Sequence, residues 1–144
     1  MIYLEKPADF KEKFRVASCF VECGEEILLL LRQDQKPQGG TWGVPAGKIE
    51  VGELEVDAMV RELREETKLD VNPRQFSTPK VVFVRYAEYD FPYYIYQLRF
   101  NVKPEIVIDP KDHKAFMWVT RTLALGMNMI QDEDACIKLC YGSK

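Results

Sequence analysis

Three glutamates, Glu62, Glu65 and Glu66, crowd one short stretch inside the segment Gly47–Leu69, GKIEVGELEVDAMVRELREETKL. At roughly 100° per residue, Glu62 and Glu66 stand one helical turn apart with Glu65 beside them, so a helix gathers all three within an arc of roughly 100°. Hard divalent cations such as Mg²⁺ take oxygen ligands and bridge a few carboxylates to substrate phosphates. The plainer alternative is a solvated acidic face. Like charges one turn apart cost only ~0.2–0.5 kcal/mol per pair, and Arg61 and Arg64 can neutralise part of that. The preceding segment favours the chemical reading. Gly39, Gly40, Gly43, Pro45, Gly47 and Gly52 crowd the approach to the helix, and glycines let backbone N–H groups come close to a phosphate. A glycine-rich loop joined to a carboxylate helix suits a metal–polyphosphate.

The elements that must position these groups are legible. Residues 54–67 read as a helix, because Val56, Met59, Val60 and Leu63 fall at i, i+3, i+4 and i+7. Arg15 to Cys23 reads as a strand with Val16, Ser18, Phe20 and Glu22 on one face and Ala17, Cys19, Val21 and Cys23 on the other. Gly24-Glu25 reads as a hairpin turn, and Glu26 to Leu31 as a buried strand. Val81 to Tyr86 and Tyr93 to Val102 carry the β-branched and aromatic residues of strands. Glu105 to Ile108 and Ala115 to Val119 are shorter strand candidates, and Arg121 to Gly126 and Asp132 to Cys140 read as helices. Residues 1–14 read as an extension before the core. This order predicts an α/β or α+β domain with helices covering a mixed sheet.

The 144 residues suit one domain. Twenty Lys and Arg against 23 Asp and Glu give a net charge of −3, which argues against general nucleic-acid binding. No apolar run approaches the ~20 residues of a membrane span. The charged N-terminus does not read as a signal peptide. Four cysteines without secretory context point to free thiols in a reducing, cytoplasmic setting.

The segment Gly47–Leu69 resembles the Nudix box. Gly47, Glu53, Arg61, Glu62, Leu63, Glu65, Glu66 and Leu69 fill eight of its nine defined positions, and Lys68 stands where the box has its second glycine. Gly40, Trp42, Pro45 and the Ala46-Gly47 pair resemble the family's approach to the box, and Asp112-His113 followed by Trp118-Val119 resembles its later acidic-His … Trp element. The resemblance implies an α/β/α sandwich with a mixed sheet. It also implies divalent-metal-dependent hydrolysis of a nucleoside diphosphate linked to another group, with a small-molecule nucleotide as partner. By position, Glu62, Glu65 and Glu66 would bind Mg²⁺ or Mn²⁺, joined by Asp112 as a carboxylate outside the box. Arg61 would hold a box glutamate, and Glu53 would support the cluster. Ala46, Gly47 and Asp132 are the substrate-binding candidates. A MutT-type nucleoside triphosphate pyrophosphohydrolase is the leading expectation. A nucleotide-sugar or dinucleotide hydrolase, or a non-catalytic nucleotide-binding domain, are the alternatives.

Several residues have a plainer reading beside the functional one. Asp112 after Pro110 also suits a turn, and Asp132 also suits a helix N-cap. His113 reads as a structural hydrogen-bonder. The aromatic stretch Tyr86, Tyr89, Phe91, Tyr93, Tyr94 and Tyr96 could stack a base, fill the sheet core or make a homodimer contact. Arg32 and Arg85 could contact phosphate. The pairs Cys19/Cys23 and Cys136/Cys140 could bind Zn²⁺, but they lie on regular elements and read as buried thiols.

Overall fold

The structure, a computed structural model, describes residues 1–142. Its strands are β1 (Ile2–Tyr3), β2 (Val16–Cys23), β3 (Glu26–Arg32), β4 (Trp42–Gly43), β5 (Ala46–Lys48), β6 (Lys80–Arg85), β7 (Asp90–Phe100) and β8 (His113–Thr120). Its helices are α1 (Glu55–Thr67), α2 (Arg121–Leu125) and α3 (Glu133–Tyr141). The strands form one mixed sheet in the order β1-β6-β7-β2-β3-β4, with β5 on β2 and β8 on β3. The β2–β7 pair is parallel, and every other named pair is antiparallel.

Both faces of the sheet are covered, which is why β2 and β3 are apolar on both sides. Ala17, Cys19 and Val21 pack with Ala58, Met59 and Leu63 of α1. Phe20, Ile27 and Leu29 pack with Ala124 of α2 and with Cys136 and Ile137 of α3. The expected α/β/α layering is therefore observed. It also separates the cysteines, since Cys19 lies in the α1 layer and Cys136 and Cys140 in the other, so they do not share one site. All four are free thiols.

Helix α1 begins after Leu54, whose side chain makes no cap bond, and Glu55 and Asp57 supply negative charge in the first turn. It ends at Lys68 in the left-handed region, at φ 62° and ψ 17°, with Lys68 N–H donating to Arg64 O. The residue that departs from the box thus keeps the backbone a glycine would adopt. A non-glycine residue there costs about 1 kcal/mol, offset in part by a lysine charge at the helix C-terminus. Lys68→Gly is expected to raise unfolding stability by less than ~1 kcal/mol, with turnover unchanged. Urea unfolding checks this, and a clear loss of stability would show that the lysine charge outweighs the strain.

Three segments differ from their sequence reading. Glu105 to Ile108 forms no strand. Ile106 is buried against the α1 layer, and Val107 N–H donates to Thr67 O at 3.0 Å, closing the end of α1 instead of pairing with a neighbouring strand. Residues 1–14 are not a separate extension, because Ile2 and Tyr3 pair with Val84 and Phe83 at the sheet edge and Phe14 packs into the core. β7 starts at Asp90, before the expected Tyr93, because Phe91 and Pro92 already pair with β6.

Helix α3 is fastened to the sheet. The Glu22 carboxylate, 1% exposed, accepts from Tyr141 Oη and from Gln97 Nε2. At the other end, Trp42 N–H donates to Asn128 O at 2.9 Å and Ile130 N–H donates to Trp42 O at 2.8 Å. The Ile130 side chain fills the space a Cβ at position 43 would need, which makes Gly43 a packing requirement. These contacts bring the start of α3 over the sheet beside β4.

Candidate functional site

The carboxylates of α1 meet the backbone of β5. Ala46 N–H donates to Glu66 Oε1 at 2.9 Å. A Cβ built on Gly47 would overlap the Glu62 carboxylate, so Gly47 is there for the carboxylate's close approach. The same segment was expected to cradle phosphate with its glycines, but at this position the glycine serves the acid. Arg61 gathers the remainder. Its Nε and Nη2 donate to Glu53 at 2.9 and 3.0 Å, its Nη1 to Glu62 at 2.8 Å and to Glu65 at 3.5 Å, and its Nη2 to Lys48 O at 3.0 Å. Glu53 also accepts from Glu50 N–H.

Burial separates the acids electrostatically. Glu65 is largely exposed, whereas the Glu62 side chain is 12% exposed and Glu66 is 9% exposed. Burial raises the Glu62 pKa above the ordinary range, opposed by Arg61. Burial raises Glu66 further, and the nearby Glu62 and Asp112 charges add to it. The hydrogen bond from Arg61 lowers Glu53, and Glu53 in turn holds the Arg61 proton more firmly than usual. Asp112 sits in the turn before β8, paired with Lys36 Nζ at 2.9 Å.

Among the described residues no three His, Cys, Asp or Glu side chains converge as a ready chelating group. Arg61 stands between Glu62 and Glu65, and Ala46 N–H holds Glu66. The donor set still fits a hard divalent cation. It is all carboxylate oxygen, and its two buried members repel each other, a cost that a nearby cation relieves.

Glu66 and Ala46 line a cleft of about 420 Å³. Phe14, Tyr86, Tyr89, Phe91 and Tyr93 give the same cleft an aromatic wall. The aromatic stretch therefore divides. Phe91 and Tyr93 face the cleft layer, while Tyr94 and Tyr96 face the α1 layer. Asp132 lines the cleft too, but it does not make the cap bond expected of an N-cap. It is left-handed at φ 69°, and its Oδ2 pairs with the Met1 amine at 2.5 Å.

The residue the sequence reading missed is Glu133. It is 4% exposed and lines the cleft, and its Oε2 has no hydrogen-bond partner among the described residues. Burial pushes its pKa up to about 7, opposed by the Val44 amide and the Tyr93 hydroxyl. Nothing in the local sequence marked it, because one more acid beside Asp132 and Asp134 reads as helix-start charge. The shift has a stability consequence. The unfolded chain loses this proton near 4.5 and the folded protein near 7, so the folded state binds more protons between those values and stability falls as pH rises through that window. Glu133→Gln is expected to gain ~3 kcal/mol relative to wild type between pH 4 and pH 8. Urea unfolding at the two pH values measures it, and a pH-independent difference would place the proton elsewhere.

His113 also lines the cleft, 4% exposed, and its Nδ1 has no partner among the described residues. That differs from the structural hydrogen-bonder expected. Burial and the nearby Arg32 charge lower its pKa. Arg85 lies apart from the carboxylates, bound to Asp90 and Asp9.

The family model described as NUDIX domain matches residues 12–138. A Bacillus subtilis (strain 168) protein described as the uncharacterised Nudix hydrolase YvcI is 43% identical over 61 residues, 42% of this chain and 36% of that protein. The CTP pyrophosphohydrolase of Escherichia coli (strain K12) is 36% identical over 61 residues, 42% of this chain and 45% of that protein. The matches thus span less than half the length of either relative. A Francisella tularensis bifunctional NMN adenylyltransferase/ADP-ribose pyrophosphatase, solved with AMP and a Mn ion, shares the fold. Its TM-score is 0.72 at 24% identity, over 92% of this chain and 42% of that one. No helix among the described residues is long and apolar enough to cross a membrane. With Gly47 on β5, Arg61, Glu62, Leu63, Glu65 and Glu66 on α1, and the family match spanning most of its length, the chain belongs to the Nudix domain family.

Proposed function

We propose that this domain hydrolyses a diphosphate linkage in a nucleoside triphosphate, with Mg²⁺ or Mn²⁺, releasing a nucleoside monophosphate and pyrophosphate. The observation that carries the reading is that a single cleft is lined by Ala46 and Glu66, by an aromatic wall and by a buried acid. A pocket of about 420 Å³ suits one nucleoside and its first phosphate. The relative that acts on CTP and the related fold solved with AMP and a Mn ion support a nucleotide here.

Glu62, Glu65 and Glu66, with Asp112 outside the helix, are the residues that would hold the metal. When bound, the cation neutralises phosphate oxygens and lowers the pKa of water. Arg61 fixes the angles of Glu62 and Glu65 by its guanidinium fork, and Glu53 anchors Arg61. The Ala46 amide orients Glu66. Asp112, near enough to Glu66 to raise its proton affinity, is our candidate for taking the proton of the attacking water. Tyr86, Tyr89, Phe91 and Tyr93 exclude water and offer faces for a base.

Glu133 and Asp132 are the groups that would read the base edge. A carboxyl that carries a proton donates one hydrogen bond and accepts another, which matches the amino group and ring nitrogen of cytosine. The test is product release, with and without Mg²⁺, across canonical and oxidised nucleoside triphosphates, nucleotide sugars and dinucleotides. Mg²⁺-dependent turnover of triphosphates, with CTP or dCTP ahead of UTP, supports the reading. Turnover confined to sugars or dinucleotides selects those substrates instead. Nucleotide binding by the folded protein without turnover makes it a binding domain.

A further inference from the structure

The β3–β8 ladder is irregular at one point. Leu31 lies opposite Ala115, but Arg32 lies opposite His113, so Lys114 is the extra residue of a bulge. Bulges re-aim side chains and recur beside functional sites. At the bulge His113 is 4% exposed and lines the cleft opposite Arg32, while Lys114 reaches outward to Asp34 at 2.6 Å. The turn before β8 is locked to the end of β3. Gln33 N–H donates to Asp112 O, Gln33 Nε2 donates to Pro110 O at 2.9 Å, and His113 N–H donates to Asp109 O. Arg32 is fixed as well, since its Nε donates to Pro37 O at 2.8 Å.

Arg32 and His113 pair across the ladder and both line the cleft that Glu66 also lines. A buried imidazole nitrogen without a partner is costly unless something supplies one. Of the lysines near the cleft, Lys36 pairs with Asp112, Lys48 Nζ stands 4.4 Å over the Phe14 ring and Lys13 Nζ 5.8 Å over the Tyr89 ring. An unpartnered imidazole beside a fixed guanidinium is a seat for one tetrahedral anion.

We infer that Arg32 and His113, set side by side by the β8 bulge, hold the phosphate attached directly to the nucleoside, between the aromatic wall and the α1 carboxylates. This rests on the nucleotide reading of the cleft. His113 Nδ1, in the tautomer that carries its hydrogen there, donates to one phosphate oxygen and Arg32 pairs with another. Both are positioning residues that bring the scissile linkage up to the carboxylates.

Calorimetric titration of the full chain, without added metal, tests it with the four ribonucleoside 5′-monophosphates and their matching nucleosides. Wild type is expected to bind at least one monophosphate about tenfold or more tighter than its nucleoside. Arg32→Gln and His113→Leu should each bring that ratio towards one while nucleoside affinity holds. His113→Asn, which keeps a polar atom near the Nδ1 position, should retain most of the preference. Thermal unfolding identifies any variant that has lost its fold, and Arg32→Gln, at a half-buried position, then carries the test. A monophosphate preference untouched by the variants, or equal losses for nucleoside and monophosphate, overturns the phosphate seat alone. A folded wild type that binds neither ligand overturns the nucleotide cleft and this seat with it.

Discussion

Glu66→Gln is expected to lower Mg²⁺-dependent product release by roughly two to four orders of magnitude, the range for loss of a positioned acid–base or charge-stabilising group. The substitution isolates charge. Glutamine keeps the shape and can accept the Ala46 N–H bond that Glu66 accepts at 2.9 Å. What disappears is a negative charge in a nearly buried position, within reach of Glu62 and Asp112. Circular dichroism and thermal unfolding should match wild type. A folded variant with wild-type turnover would remove Glu66, and with it the cluster, from the proposed chemistry.

Gly47→Ala should cost about a hundredfold in turnover with a loss of less than ~2 kcal/mol in stability. The new Cβ falls on the Glu62 carboxylate. Glu62 is the end of a flexible side chain, so it can swing aside, and the fold survives. It then leaves the position in which Arg61 holds it at 2.8 Å. Misplacing a reacting or positioning group by about 1 Å can cost ~10²-fold. Gly52→Ala is the control. Gly52 has φ +83° and nothing within 4 Å of a new Cβ, so alanine there strains the backbone by about 1 kcal/mol and should leave turnover alone. Equal losses of activity in both variants would mean that Gly47 matters only for stability.

The carboxylate helix was legible because its evidence is local. The spacing of Glu62, Glu65 and Glu66 and of Met59 and Leu63 fixes which residues share a face, and the observed α1 spans Glu55–Thr67. That Arg61 would hold a box glutamate followed from the motif, but that Glu53 is the one it holds by two bonds came only from the structure. Groups defined by distant contacts were not legible. Glu133 is unusual only because α3 is drawn onto the sheet by Glu22, Tyr141 and the Trp42 clamp. His113 stands out only because the fold buries its Nδ1 without a partner and a bulge sets it opposite Arg32. Glu105 to Ile108 carries the β-branched residues of a short strand, yet its backbone answers the end of a helix. The edge role of Ile2 and Tyr3 depended on an open side of β6.

The parallel ladder between β2 and β7 sets the tempo at which this molecule becomes competent. It pairs Val16–Cys23 with Tyr93–Phe100, segments more than seventy positions apart. Chain-closure entropy must be met before such contacts reward it, which slows folding. On a ribosome, the emerging chain can build the β2–β3 hairpin and α1 while β2 still lacks its other neighbour. The carboxylates would exist before the aromatic wall that faces them. Nascent chains of this protein should therefore gain nucleotide affinity late, after Phe100 has cleared the exit tunnel, and a bound nucleotide would secure the last step of assembly.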